Sequence, residues 1–69
     1  MTDLNFSKGL KKLESAFRIF LSQNTIEVYY EELKHLKDDT WENIIQDIIK
    51  EGDKFPLIST FIKKAWQYE

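Results

Sequence analysis

Cysteine is absent from this sequence; proline and histidine occur once each, and glycine twice. Without cysteine no disulfide can staple the chain, and a lone His35 leaves no ordinary Cys/His zinc site. No apolar run approaches a membrane span in length, and no signal-peptide core stands near the start. A chain lacking both cysteine and an export signal reads as cytoplasmic and without a membrane partner. Strong charge of one sign is missing as well, since the formal net charge is −2. No Ser or Cys stands with a His partner, no Gly-rich loop could cradle phosphate, and no helical Glu pair accompanies a His. The carboxylates fall on outer helix faces, away from the burial or close apposition that acid–base work requires. The sequence therefore assigns no catalytic residue, no cofactor and no metal, and it reads as a non-enzyme. His35 follows Glu31 by four residues and precedes Asp38 and Asp39. A solvent-facing His near a helix C-terminus, favoured by the dipole, accounts for it.

What is present is bulky apolar mass at helical spacing. Five Phe, three Tyr and two Trp give 69 residues enough volume for one modest core. The clearest stretch is Trp41 to Ile49, whose apolar residues at 41, 44, 45, 48 and 49 follow the rhythm of a helix face. They cover a stripe about 140° wide, which suits one wall of a core. A strand would set Ile44 and Ile45 on opposite faces and serve no sheet. Isoleucine is only a middling helix former, so packing makes this segment helical. Trp41, Ile44, Ile45, Ile48 and Ile49 are expected in the core. Phe55 is expected beside them, since Pro56 biases it toward an extended backbone.

Four helices are predicted, roughly 6–22, 25–36, 40–50 and 59–68, making a small all-α four-helix bundle and a single domain. Residues 1–5 read as a loose lead-in, with Asn5 as the first N-cap. Positions 6, 10, 13, 17, 20 and 21 trace the stripe of the first helix, and Ile19 points off it as a lone exposed residue or a contact point. Gly9 costs that helix about 1 kcal/mol relative to Ala. Asn24 or Thr25 caps the second helix, Asp39-x-x-Glu42 has the spacing of a capping box for the third, and Ser59 is a candidate cap for the fourth. Gly52 is expected to close the third helix in a left-handed conformation.

Charge is unevenly spread. Residues 27–53 carry −6, while the segments before and after each carry +2. An acidic middle between basic ends suits a protein partner better than a nucleic-acid duplex. Lys8, Lys11 and Lys12 share neighbouring turns of the first helix. Lys63 and Lys64 lie beside Trp66 and Tyr68 on the last, where lysine could pair phosphate and aromatics could stack on bases.

The run Val28-Tyr29-Tyr30-Glu31-Glu32-Leu33, the acidic turn Asp38-Asp39, Trp41-x-x-Ile44-Ile45-x-x-Ile48-Ile49 and Lys54-Phe55-Pro56-x-Ile58-x-x-Phe61 carry a resemblance. Together they resemble the folded N-terminal domain of bacteriophage replicative-helicase loader and inhibitor proteins, over about half of the chain. After Phe-Pro that family has a Thr and, three residues on, an acidic residue; Leu57 and Thr60 stand here. The family also has a flexible C-terminal segment that engages the helicase, whereas this sequence stops at Glu69; the resemblance then implies the folded module or a relative reused for another partner. The resemblance implies a DNA-replication role through contact with a hexameric replicative helicase or an initiator. The expected function is a small phage-type adaptor or inhibitor that binds protein. Its surface is expected at Lys8, Lys11, Lys12, Ile19, Lys63, Lys64, Trp66 and Tyr68. The alternatives are a single-stranded nucleic-acid-binding module using Lys63, Lys64, Trp66 and Tyr68, or a phage-type inhibitor of another host or defence enzyme.

Overall fold

The computed structural model describes every residue from Met1 to Glu69, and its regular structure is four α-helices: α1 Asp3–Phe17, α2 Gln23–Leu33, α3 Asp38–Glu51 and α4 Ile58–Tyr68. The all-α bundle expected from the periodicity is the fold. The ends of the helices differ from the sequence reading, and each difference has a visible cause. The first helix begins earlier because Thr2, not Asn5, is the N-cap; its hydroxyl accepts the Asn5 N–H at 3.1 Å. Residues 1–5 are not a loose lead-in. The α-amino group of Met1 donates to the carbonyls of Lys34 and Leu36 at 2.9 and 3.0 Å, pinning α1 to the turn after α2.

The same helix ends at Phe17, short of residue 22. Arg18 adopts the left-handed conformation (φ 55°), and the Ile19 N–H closes on the Glu14 carbonyl at 3.1 Å, the six-residue ring of a Schellman motif. Phe20 therefore leaves the apolar stripe and is 91% exposed, whereas Leu21, beyond the helix end, is half-buried and still packs against the core. Ser22, just ahead of the expected caps, starts α2 by accepting the Thr25 N–H at 3.2 Å. The capping box of Asp39 and Glu42 does not form: the Asp39 carboxylate takes the Thr40 N–H, and Lys37 stands at the N-cap without a side-chain bond. Instead, the Glu69 side chain accepts the Lys37 N–H at 3.0 Å, joining the end of α4 to the start of α3. Ser59 caps nothing, since α4 opens at Ile58 behind Leu57.

Gly52 is not left-handed (φ −45°, ψ 100°). Its lack of a side chain serves packing: a Cβ there would lie 2.8 Å from the Phe17 ring. Gly9 answers the same demand more severely. An added Cβ would come within 2.3 Å of the Trp41 indole nitrogen, which donates to the Asn5 carbonyl at 3.1 Å. The helix cost of glycine is thus offset by letting a tryptophan lie flush against the backbone of α1.

Seven of the ten aromatic rings form one chain through the interior, Tyr30–Phe6–Trp41–Phe61–Tyr29–Phe55–Phe17, with centroid separations of 5.1–6.1 Å. It touches all four helices, with Trp41 stacked between Phe6 and Phe61. Leu10, Leu13, Leu33, Leu36, Ile44, Ile45, Ile48 and Ala65 complete the buried cluster. Burying side chains of this size yields about 1.5–3 kcal/mol each. Ile49 is a correction: at 42% exposed it lies at the edge of the α3 stripe, not in the core. Phe55 is half-buried, edge-on to Phe17 and Tyr29, while the Tyr29 hydroxyl donates to the Pro56 carbonyl at 2.9 Å.

Candidate functional site

The close α1–α3 contact leaves a furrow on its outer side. Gly9, Trp41 and Ile45 form the floor of this groove of about 600 Å³. Lys8, Lys11 and Lys12 rise along one wall, and Glu42, Gln46 and Ile49 along the other. The chain has two ion pairs, Lys34–Glu31 and Lys64–Glu51, so none of the three wall lysines is neutralised by a carboxylate. Their alkyl stems extend the apolar floor while the ammonium groups stay in water. Through Lys11 and Ser15 the groove continues into a second concavity bounded by Ile19 and Phe20. Glu14 builds that end. Its carbonyl closes the helix, and its carboxylate accepts the Leu21 N–H at 2.9 Å, which holds the Ile19–Phe20 segment out from the bundle.

The basic end on α4 is differently disposed. Lys64 is largely buried and makes two contacts with the Glu51 carboxylate, at 2.8 and 3.0 Å. Tyr68 donates its hydroxyl to Asp47, and this bond raises its pKa above the ordinary tyrosine range. Lys63 and Trp66 remain free, the latter 74% exposed. The eight residues singled out by sequence thus divide. Lys8, Lys11, Lys12 and Ile19 share one continuous face of α1 and its following turn, whereas Lys64 and Tyr68 fasten α4 to α3.

A third region, between α1 and α2, is acidic. Asp3, Glu27 and Glu31 surround the edges of Phe6 and Tyr30 in a shallow dip. The Tyr30 hydroxyl donates to Asp3, and that bond holds the Tyr30 pKa above its ordinary value. Burial raises Tyr29. Glu69 is lowered, first by the Lys37 N–H and then by Thr40. His35 is exposed, and no group of three His, Cys, Asp or Glu lies close enough to hold a metal ion.

Phe20, Glu14, Gln46 and Ile49 are the surface features that sequence reasoning missed. Phe20 fell on the extended stripe because nothing in Arg18 announces a left-handed residue, a conformation usually taken by Gly or Asn. The polar run Ser22 to Thr25 marks the loop but not where α1 stops.

Fold and site together describe a small helical bundle with an open, lysine-walled groove and no helix long and apolar enough to cross a membrane. Compared with protein-family models, curated proteins and solved structures, the chain matches none.

Proposed function

We propose that this chain is a non-catalytic, cytoplasmic protein-binding adaptor or inhibitor of phage type. Its target is a replication protein, a hexameric replicative helicase or an initiator. The observation that supports binding is the α1–α3 face, where three unpaired lysines border an apolar groove that ends at exposed Ile19 and Phe20. Such a combination of apolar floor and charged rim is typical of surfaces that meet another protein. The choice of target follows from the Phe55-Pro56 resemblance, and the buried Pro56 with its Tyr29 bond shows that dipeptide acting as structural punctuation. Sedimentation of the chain with a hexameric replicative helicase tests the reading. A complex is expected, and Lys8→Glu/Lys12→Glu is expected to weaken it at least about tenfold, or ~1.4 kcal/mol. No complex at micromolar concentrations would overturn the helicase assignment.

A single-stranded nucleic-acid site ranks second because Trp66 stands exposed on the same helix as Lys63. Lys64 and Tyr68 are engaged within the bundle, which leaves that site one free cation and one ring. Thymine oligonucleotide binding is accordingly expected to be weak and erased at physiological ionic strength.

A further inference from the structure

The two walls of the α1–α3 groove differ in charge, and that difference describes an occupant. Lys8, Lys11 and Lys12 line the α1 side; Glu42 and the neutral Gln46 line the α3 side. From Asn5 to Ser15 the α1 wall runs about 15 Å, the length of roughly three helical turns. Two packed helices present between them the natural seat of a third, whose apolar stripe enters the furrow at i, i+3, i+4 and i+7. Apolar contact for such a stripe comes from Ile49 on the α3 wall and the lysine stems on the α1 wall, above the closely packed floor of Gly9, Trp41 and Ile45. Phe20 stands at one end, where an exposed aromatic ring can anchor a partner.

We propose that the groove binds a short amphipathic helix of a partner protein, acidic along the edge that faces α1 and neutral or basic along the edge that faces α3. The assignment rests on the protein-binding reading above but not on which protein the partner is. Charge complementarity selects this occupant. A nucleic-acid strand would bring phosphates to Glu42 as well as to the lysines, and Asp38 and Asp39 lie at the start of the same helix. A small anion would find the lysines but leave the apolar floor and Phe20 uncovered.

The test uses the full chain and a fluorescent designed peptide of about 15 residues, with leucines on one helical stripe and glutamates along one edge. Anisotropy is expected to show saturable binding, weakened at least about tenfold by Lys8→Glu/Lys12→Glu or by Phe20→Ser, and unchanged by Lys63→Glu. All four positions are exposed, and unchanged circular dichroism of the variants shows that the fold is intact. On the unmodified chain, amide shifts are expected to cluster at Lys8, Lys12, Gln46 and Ile49, away from α2. Three results would overturn the proposal: no binding, equal binding of a peptide whose glutamates are lysines, or tighter binding of a thymine oligonucleotide at the same residues. Competition separates this inference from the helicase reading. A helicase complex formed by a chain that does not bind the acidic peptide on its own refutes the groove assignment alone. Peptide binding without any helicase complex refutes the helicase assignment alone.

Discussion

Helix α1 has two flanks, and they are joined to the rest of the molecule by different means. On the α3 flank the Trp41 indole lies against Gly9 and bonds to the backbone of α1, fully out of water. On the α2 flank Phe6 meets the edge of Tyr30, whose hydroxyl reaches Asp3 in an exposed bond. One contact is steric and tolerates nothing; the other is a polar clasp at the surface. Charge divides the same way, with lysines above the α3 seam and carboxylates around the α2 seam. The lesson is that stability and recognition share one seam here yet use different atoms. Gly9 and Trp41 fix the furrow, and the lysine ammonium groups above it contribute little to holding the fold together.

The largest effect is expected from breaking the α3 flank. Trp41→Ala removes the centre of the aromatic chain and is expected to cost about 3–5 kcal/mol. Gly9→Val is expected to exceed the ~1–3 kcal/mol of ordinary overpacking, because the indole must move and its bond to Asn5 is lost with it. Small domains have little more stability than that in total, so both variants are expected to be largely unfolded at physiological temperature. Circular dichroism in urea measures this. Midpoints within a few per cent of the parent for both would show that the seam does not hold the bundle.

Adjacent residues of α3 sharpen the contrast between buried core and exposed groove wall. Ile48 is 4% exposed and Ile49 is 42%. Ile48→Ala is expected to cost about 2–5 kcal/mol, whereas Ile49→Ala is expected to stay near 1 kcal/mol or less. Equal losses would place Ile49 in the core after all, and the groove wall would need redrawing.

These residues also show what was legible in the sequence. The stripe from Trp41 to Ile48 was plain because helical periodicity and burial coincide there. Ile49 fits the same rhythm, and only the position of α1, set by Gly9, decides that the stripe's last residue faces the furrow. The lysines of α1 were legible as a cluster, but their freedom was not, since Lys64 looks identical in sequence and is held by Glu51 thirteen residues away. Capping was the least legible level. Asn5, Asn24, Thr25, Asp39 and Ser59 all have suitable chemistry, yet Thr2 and Ser22 cap α1 and α2 through local bonds, and a tertiary contact from the Glu69 side chain meets the start of α3.

A smaller effect, of opposite sign, is expected at the turn that leads from α1 toward α2. Arg18 holds φ 55°, which costs an L-residue roughly 1–2 kcal/mol and glycine almost nothing. Against this, glycine loses more entropy on folding, so Arg18→Gly is expected to stabilise by about 0.5–1 kcal/mol. A loss of stability on urea unfolding would mean that the Arg18 side chain contributes contacts that outweigh its backbone conformation.

The smallest effect belongs to the clasp on the α2 flank, and pH separates it from everything else. The Tyr30 hydroxyl donates to the Asp3 carboxylate, so the folded protein holds that proton more tightly than the unfolded chain, whose tyrosines titrate near 10.0. A raised folded pKa contributes stability that is fully present below the unfolded value and is lost as pH rises through the folded one. Tyr30→Phe is therefore expected to be slightly less stable than the parent at neutral pH. The two are expected to converge in urea midpoint as pH climbs past 10, because the parent then loses the bond that the variant never had. Tyr68, bonded to Asp47, is expected to behave alike in Tyr68→Phe, while Tyr29, raised by burial, titrates in parent and variants equally and cancels from the comparison. A gap between parent and Tyr30→Phe that persists unchanged above that pH would show that the ring's edge contact with Phe6, not the hydroxyl, is what α2 offers to α1.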